Sequence, residues 1–392
     1  MLNKLLHTPE GVRDIYGQEF LRKLYAQNRM MDIIRSFGYE DIKTPVFEFF
    51  DVFSGNIGTT PSKDLYKFFD KEGDTLVLRP DFTPSIARAT AKYFADESMP
   101  LRFCYQGNTF SNTSAYQGRL SETTEIGAEL INEVSVDADV EVISIVIEAL
   151  KGCGLKDFQI SIGNLEFFKG LCSEYGIDEE MEHKLREMIN DKNYFGTQDL
   201  LDSLELKEEI KGMIARIPEM FGGPDILKEA AGYVSNERSL AAIKRLDKIY
   251  ELLKINGAAG YVSFDLGMLS RYNYYTGIIF RAYTYGSGDA IVKGGRYDNL
   301  LSEFGKNAGA IGFCIVVDQL MSVLERQGIS IDVPQRDGYL ILYDRMHSKE
   351  AYVKASDIRK DSKTAILMCR DDRDDIKIKE YADRNGLTIM DI

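Results

Sequence analysis

The sequence predicts an α+β fold: an antiparallel sheet with flanking helices, a helical insertion, and a small α/β domain at the C-terminal end. Three observations predict it. Strand and helix signals through residues 38–152 come in mixed order, joined by turns rather than by strict β-α-β units. A charged, mostly helical stretch replaces them from about 164 to 256, before strand signals resume. After Asp332–Pro334, which reads as a linker, residues 335–392 follow a β-α-β-α pattern with a final strand.

Residues 18–37 place Phe20, Leu24, Met31 and Ile34 on one helical stripe, and Gly38 falls where a helix cap is expected. The segment YEDIKTPVFEFF is strand-like. It is followed by LVLRPDFTPSIARATAKYF, a strand running into a helix, and by the strands LRFCYQGNTFSN and TTEIGAELIN. An amphipathic helix over 137–152 ends in glycines. The insertion is carried by segments such as DEEMEHKLREMI and SLAAIKRLDKIYELL, and strands return at YVSFDLG, YYTGIIFRAYTYG and AIGFCIVV. The boundaries expected are therefore 1–331 for the larger domain and 335–392 for the smaller.

Composition excludes several function classes. No apolar run approaches the ~20 residues that cross a bilayer, and the opening lacks an apolar stretch of signal-peptide length, so a cytoplasmic location is expected. The five cysteines are dispersed with no C-x-x-C pair, as reduced core thiols would be. The three histidines, His7, His183 and His347, lie far apart, which argues against a zinc site or a histidine-based nucleophile relay. The acidic run Asp371–Asp375 reads as a solvated loop, so neither a metal nor a cofactor is expected. The net charge of −14 weighs against a phosphate-gripping surface for RNA. Lys293-Gly294-Gly295-Arg296 lacks the spacing of a phosphate loop and reads as a tight turn.

Along TTEIGAELIN, alternation puts Glu125, Gly127 and Glu129 on one strand face. Two carboxylates flanking a glycine could form a notch for a ligand, with acceptors for its N–H groups. Taken alone, alternation favours a solvated sheet face over a notch.

Five segments in order resemble histidyl-tRNA synthetases: His7–Asp14; Gly38-Tyr39-Glu40 through Phe47-Glu48; Leu78–Thr83; Tyr274–Gly277; and Gly294–Asp298. The second is similar to the class II synthetase dimer element. The resemblance implies a class II synthetase-like core with a histidine-type pocket lined by Asp81, Thr83, Glu125, Glu129, Tyr274 and Tyr275. Asp81 stands where the family has glutamate, Glu125 where it has glutamine, and Glu129 at its imidazole-binding glutamate. The tail is similar to the anticodon-binding domain, shortened.

The departures lie where the family clamps ATP. Its three arginines are replaced by Ser111, Ser270 and Gln319, with Thr113 at a glutamate position and Arg271 beside Ser270. Losing one preorganised charged contact costs about 3 kcal/mol, so losing all three abolishes adenylation. A synthetase-like chain with a retained pocket and no ATP clamp resembles the regulatory subunits of ATP phosphoribosyltransferase. That resemblance implies no catalysis of its own, a short catalytic subunit as partner in a hetero-octamer, self-association as a homodimer, and histidine as effector. It also implies a role in the first step of histidine biosynthesis, with neither tRNA nor membrane as a partner. Two other readings fit the same residues: a divergent synthetase in which Arg271 stands in, and a stand-alone histidine-sensing module.

Overall fold

The computed structural model describes residues 6–54, 57, 60–112, 120–270, 274–334, 337–370 and 373–392. Contacts divide the chain into two units, Met1–Ile331 and Asp332–Ile392.

The first unit opens with helix α1 (Gly17–Ser36). Beyond its first residue the helix contains no glycine or proline. It stops at Gly38, whose φ of 86° is the left-handed conformation that ends helices; the Gly38 N–H donates to the Arg35 carbonyl at 2.9 Å. Its buried stripe is Lys23, Ala26, Met30, Met31 and Ile34. The expected stripe is thus half right: Phe20 and Leu24 are exposed, at 46% and 38%, because the face turned to the core begins a third of a turn away.

Short strands β1 (Glu40–Asp41), β2 (Phe47–Phe49), β3 (Lys67–Phe69) and β4 (Thr75–Leu78) lead into helix α2 (Thr83–Tyr93). Two ten-residue strands, β5 (Leu101–Phe110) and β6 (Glu122–Ile131), then pair antiparallel along their full length. Helix α3 (Val136–Gly152) follows, capped by Ser135, whose side chain accepts from the Ala138 N–H at 3.2 Å. It is apolar on nearly every side and correspondingly buried. Strand β7 (Phe158–Asn164) introduces helices α4 (Leu165–Glu174), α5 (Glu179–Asn190), α6 (Tyr194–Asp202) and α7 (Glu208–Arg216). Short strand β8 (Phe221–Gly222) and helices α8 (Asp225–Ala231) and α9 (Glu237–Ile255) complete this stretch. The unit closes with strands β9 (Val262–Asp265), β10 (Ile278–Thr284), β11 (Val292–Arg296) and β12 (Ala310–Val316), then helix α10 (Val317–Arg326).

Nine strands form one sheet in the order β1-β5-β6-β12-β11-β10-β7-β9-β8. It is antiparallel except at β1/β5 and β7/β9. The five central strands come from both sides of the helical stretch, so the sheet is completed only after that stretch has been spanned. Strands β2, β4 and β3 make a separate antiparallel sheet.

Lys293-Gly294-Gly295-Arg296 is not a turn, as expected above, but the body of β11, paired on both sides. Glycine is needed in mid-strand because neighbours occupy the Cβ positions. A Cβ on Gly294 would meet the Phe280 ring at 2.3 Å, and one on Gly295 the Tyr275 ring at 2.7 Å.

The second unit is β13 (Gly338–Tyr343), α11 (Ser348–Lys360), β14 (Thr364–Cys369), α12 (Asp375–Arg384) and β15 (Leu387–Asp391). Its all-parallel sheet runs β14-β13-β15. Alternation along β13 sends Leu340 and Leu342 to one face, against Ile378 and Ala382 of α12, and Ile341 to the other, against Ala351 and Ala355 of α11. In the acidic run, Asp371 and Asp372 lie outside the described residues, and Asp374 caps α12. Among the described residues no helix is long and apolar enough to cross a membrane, and no cluster of three His, Cys, Asp or Glu side chains could hold a metal ion.

Candidate functional site

The site is built on one face of β6. Register sets Glu129 between Phe103 and Gly312, Gly127 between Tyr105 and Cys314, and Glu125 between Gly107 and Val316. Gly127 and Glu129 on this face are buried, and Glu125 is half-buried. Glu129 is 1% exposed; its Oε1 accepts from the Thr83 hydroxyl at 2.7 Å and its Oε2 from the Tyr297 hydroxyl at 2.5 Å. A Cβ on Gly312 would stand 1.6 Å from that Oε2, so only glycine fits opposite Glu129. The expected notch over Gly127 is already filled: a Cβ there would lie 2.3 Å from both the Tyr105 hydroxyl and the Phe313 carbonyl.

Room for a ligand lies instead beside Glu125. A cavity of about 210 Å³ is lined by Asp81, Thr83, Thr109, Glu125, Tyr274, Tyr275 and Lys293, with Gly312 and Cys314 in its floor. Five of the six expected pocket residues therefore converge, from the turn before α2, from β6 and from the segment before β10. The sixth, Glu129, lies directly behind the wall formed by Thr83 and Gly312. Asp81 accepts from the Thr83 N–H at 3.0 Å, fixing the start of α2. The Thr109 hydroxyl donates to Glu125 at 3.1 Å. Tyr274 and Tyr275 pack ring on ring at 4.6 Å, and Tyr274 meets Tyr297 edge-on at 6.1 Å.

Burial dominates the electrostatics. It pushes the Glu125 carboxyl up to about 8, with repulsion from Asp81 adding to the rise and Thr109, Lys293 and Arg79 opposing it. Burial likewise pushes Glu129 up to about 8, against the pull of the Tyr297 and Thr83 hydroxyls. A cationic ligand would reverse the preference at Glu125, since an ammonium beside a buried carboxyl favours its ionised form.

The arginines in two of the matched segments serve the fold. Arg79 donates to the carbonyls of Asn108, Thr44 and Pro45 and stacks on Phe82 at 3.9 Å. Arg296, 2% exposed, donates to Asp139 at 2.7 Å, to Asp298 and to the carbonyls of Glu133 and Ser135.

A second, wider cavity of about 620 Å³ shares Ser111, Thr123, Glu125 and Lys293 with the first and adds Asp318, Gln319 and Arg326. Ser111 and Gln319, two of the three replaced arginine positions, thus sit together at its edge, while Ser270 is buried at 1% exposure. The Gln319 side-chain oxygen is buried without a hydrogen-bond partner among the described residues. Thr113 and Arg271 lie outside the described residues. Reading of the sequence missed Thr109, Lys293 and the Tyr297 hydroxyl as site groups. Strand alternation could have signalled Lys293; nothing local signals the Tyr297–Glu129 bond, which spans 168 residues.

Residues 11–320 match the histidyl-tRNA synthetase family. The chain is 40% identical to the ATP phosphoribosyltransferase regulatory subunit of Acetivibrio thermocellus, over 91% of this chain and 85% of that one. It is 36% identical to the regulatory subunit of Clostridium kluyveri over the whole of both. Among solved structures, a Bacillus halodurans ATP phosphoribosyltransferase regulatory subunit/histidyl-tRNA synthetase superposes with a TM-score of 0.86 at 31% identity, covering 99% of this chain and 97% of that one. A Nostoc histidyl-tRNA synthetase shares the fold at a TM-score of 0.79 and 20% identity, over 97% and 90% of the two chains. With a buried carboxylate pocket on a synthetase-type sheet and relatives matching end to end, this chain belongs to the histidyl-tRNA synthetase-like family and, within it, to the ATP phosphoribosyltransferase regulatory subunits.

Proposed function

We propose that this chain is a non-catalytic regulatory subunit that activates a short ATP phosphoribosyltransferase catalytic subunit and makes it responsive to histidine. The observation that carries the reading is the end-to-end match to relatives bearing that name. The site supports it from a different direction. The cavity offers Asp81 and Glu125 to an ammonium and the Tyr274–Tyr275 wall to a flat ring, while Ser111, Ser270 and Gln319 supply no charge to a triphosphate. Binding without chemistry is what a sensor needs: histidine in the cavity would shift how the synthetase-like core holds its partner, a coupling of typically about 1–3 kcal/mol.

The assembly in this reading is a hetero-octamer built on a homodimer. Self-association is supported by the segment resembling the class II dimer element, which leaves Phe47 and Phe49 52% and 54% exposed. Catalysis resides in the partner, tRNA is not a ligand, and the protein works in the cytoplasm.

The test is reconstitution. Phosphoribosyl transfer by the short catalytic subunit should rise when this chain is added and fall again with histidine. Glu125→Gln should weaken the response to histidine while leaving the complex assembled. The chain alone should give no histidine-dependent exchange of pyrophosphate into ATP. No change in activity together with no complex on sizing would overturn the reading.

A further inference from the structure

An amino acid brings two opposite charges into a pocket, and a site that holds it in one orientation answers both. The described residues lining the smaller cavity provide two carboxylates, Asp81 and Glu125, and one ammonium, Lys293. Lys293 is a β11 residue in register with Cys314 on β12, which is itself opposite Gly127 on β6. Alternation puts it on the same face as Gly295, the face that meets the Tyr275 ring. It lines both cavities, as Glu125 does. The Lys293 ammonium is 4.0 Å from the Asp289 carboxylate, with side-chain exposures of 41% and 54%. Four carbons of side chain give the Lys293 ammonium the reach to meet a carboxylate bound in the cavity.

We propose that Lys293 is the specificity-determining cation of this pocket, pairing with the α-carboxylate of an amino-acid ligand whose ammonium is held by Asp81 and Glu125. The inference rests on reading the cavity as an amino-acid pocket. It goes further in assigning the carboxylate to β11, where reading of the sequence expected only a turn. It also separates two roles for Lys293. A residue that merely balances the charge of Glu125 would affect every cationic ligand alike. A residue that touches the carboxylate affects only ligands that have one.

The experiment is titration calorimetry on the full chain with L-histidine and with L-histidinol, in which an alcohol replaces the carboxylate. The wild type, Lys293→Met and Lys293→Arg are compared, with thermal melts to establish that each variant is folded. Lys293→Met should weaken histidine about ten- to a hundredfold, the range for losing a hydrogen bond between charged groups, and leave histidinol within about twofold. Lys293→Arg keeps the charge and should recover most of the histidine affinity. Equal weakening of both ligands, or no weakening of histidine, overturns the assignment. A wild-type chain that binds neither ligand overturns the pocket reading itself, and the inference with it.

Discussion

Glu125 and Glu129 stand four residues apart on one face of one strand and are both pushed up to about 8, yet Glu129 is buried and Glu125 only half-buried. Glu129 is closed in. Two hydroxyls donate to it, one on each oxygen, and Gly312 leaves it no spare volume. Glu125 has Thr109 on one oxygen and opens into two cavities. One strand face therefore supports two different uses. The first carboxyl ties α2, β6 and the loop after β11 together; the second is left for an incoming cation.

The comparison breaks most visibly if the tied carboxyl is removed. Glu129→Ala leaves the buried Tyr297 hydroxyl and the half-buried Thr83 hydroxyl without their acceptor and a cavity behind Thr83, and should destabilise the first unit by about 3 kcal/mol in urea unfolding. Glu125→Ala should cost about 1 kcal/mol. Equal costs would erase the distinction.

A smaller effect is expected from pH. Each carboxyl titrates near 8 when folded, against 4.5 for a free glutamate. Between those values the native chain binds more protons than the unfolded chain, so stability is full below 4.5 and declines as pH rises through 8. Across that window each carboxyl should contribute a loss of about 1.4 kcal/mol per pH unit. The melting temperature measured from pH 6 to 8 should fall, less steeply in Glu125→Gln and in Glu129→Gln. A flat profile in the wild type would mean that the groups are not protonated.

Tyr297→Phe removes one donor and should cost about 1–2 kcal/mol. A double-mutant cycle with Glu129→Gln should return most of that as coupling, and additive losses would show that the 2.5 Å bond contributes little. The smallest stability change is expected for Glu125→Gln, below about 1 kcal/mol, because an amide satisfies Thr109 as well as a carboxyl does. Its effect should be on ligand affinity instead.

Much of this was legible in the sequence, for identifiable reasons. Period-two alternation put Glu125 and Glu129 on one face, and only tertiary structure decides whether such a face is wet. Resemblance brought Asp81, Thr83, Tyr274 and Tyr275 to the same place. The failures are equally specific. Gly294-Gly295 looked like a turn because paired glycines usually make one; the Phe280 and Tyr275 rings that demand them are contributed by other segments. Gly127 suggested room, and Tyr105 had taken it. Phe20 and Leu24 follow a helical period, and apolarity alone does not say whether a side chain meets the core or another surface.

The helical stretch after β7 is held at its two ends in a way that bears on redesign. Its last helix, α9, sends Arg245 to Asp139 at 2.6 Å, the same buried carboxylate that receives Arg296. Cutting α9 away would remove one of the two cations on that carboxylate and leave Arg296 to hold it alone. Where α4 ends and α9 begins, however, Glu174 accepts from Ser235 at 2.8 Å and from the Asn236 side chain at 2.7 Å. The two helices are stapled at that end, yet the stretch between them is no appendage: β8 pairs with β9 in the large sheet, and Leu185, Ile189, Leu201 and Ile214 are buried in the same core as α4. Deleting α5 to α8 would take an edge strand and part of the core with them, so this stretch belongs to the frame as α4 and α9 do.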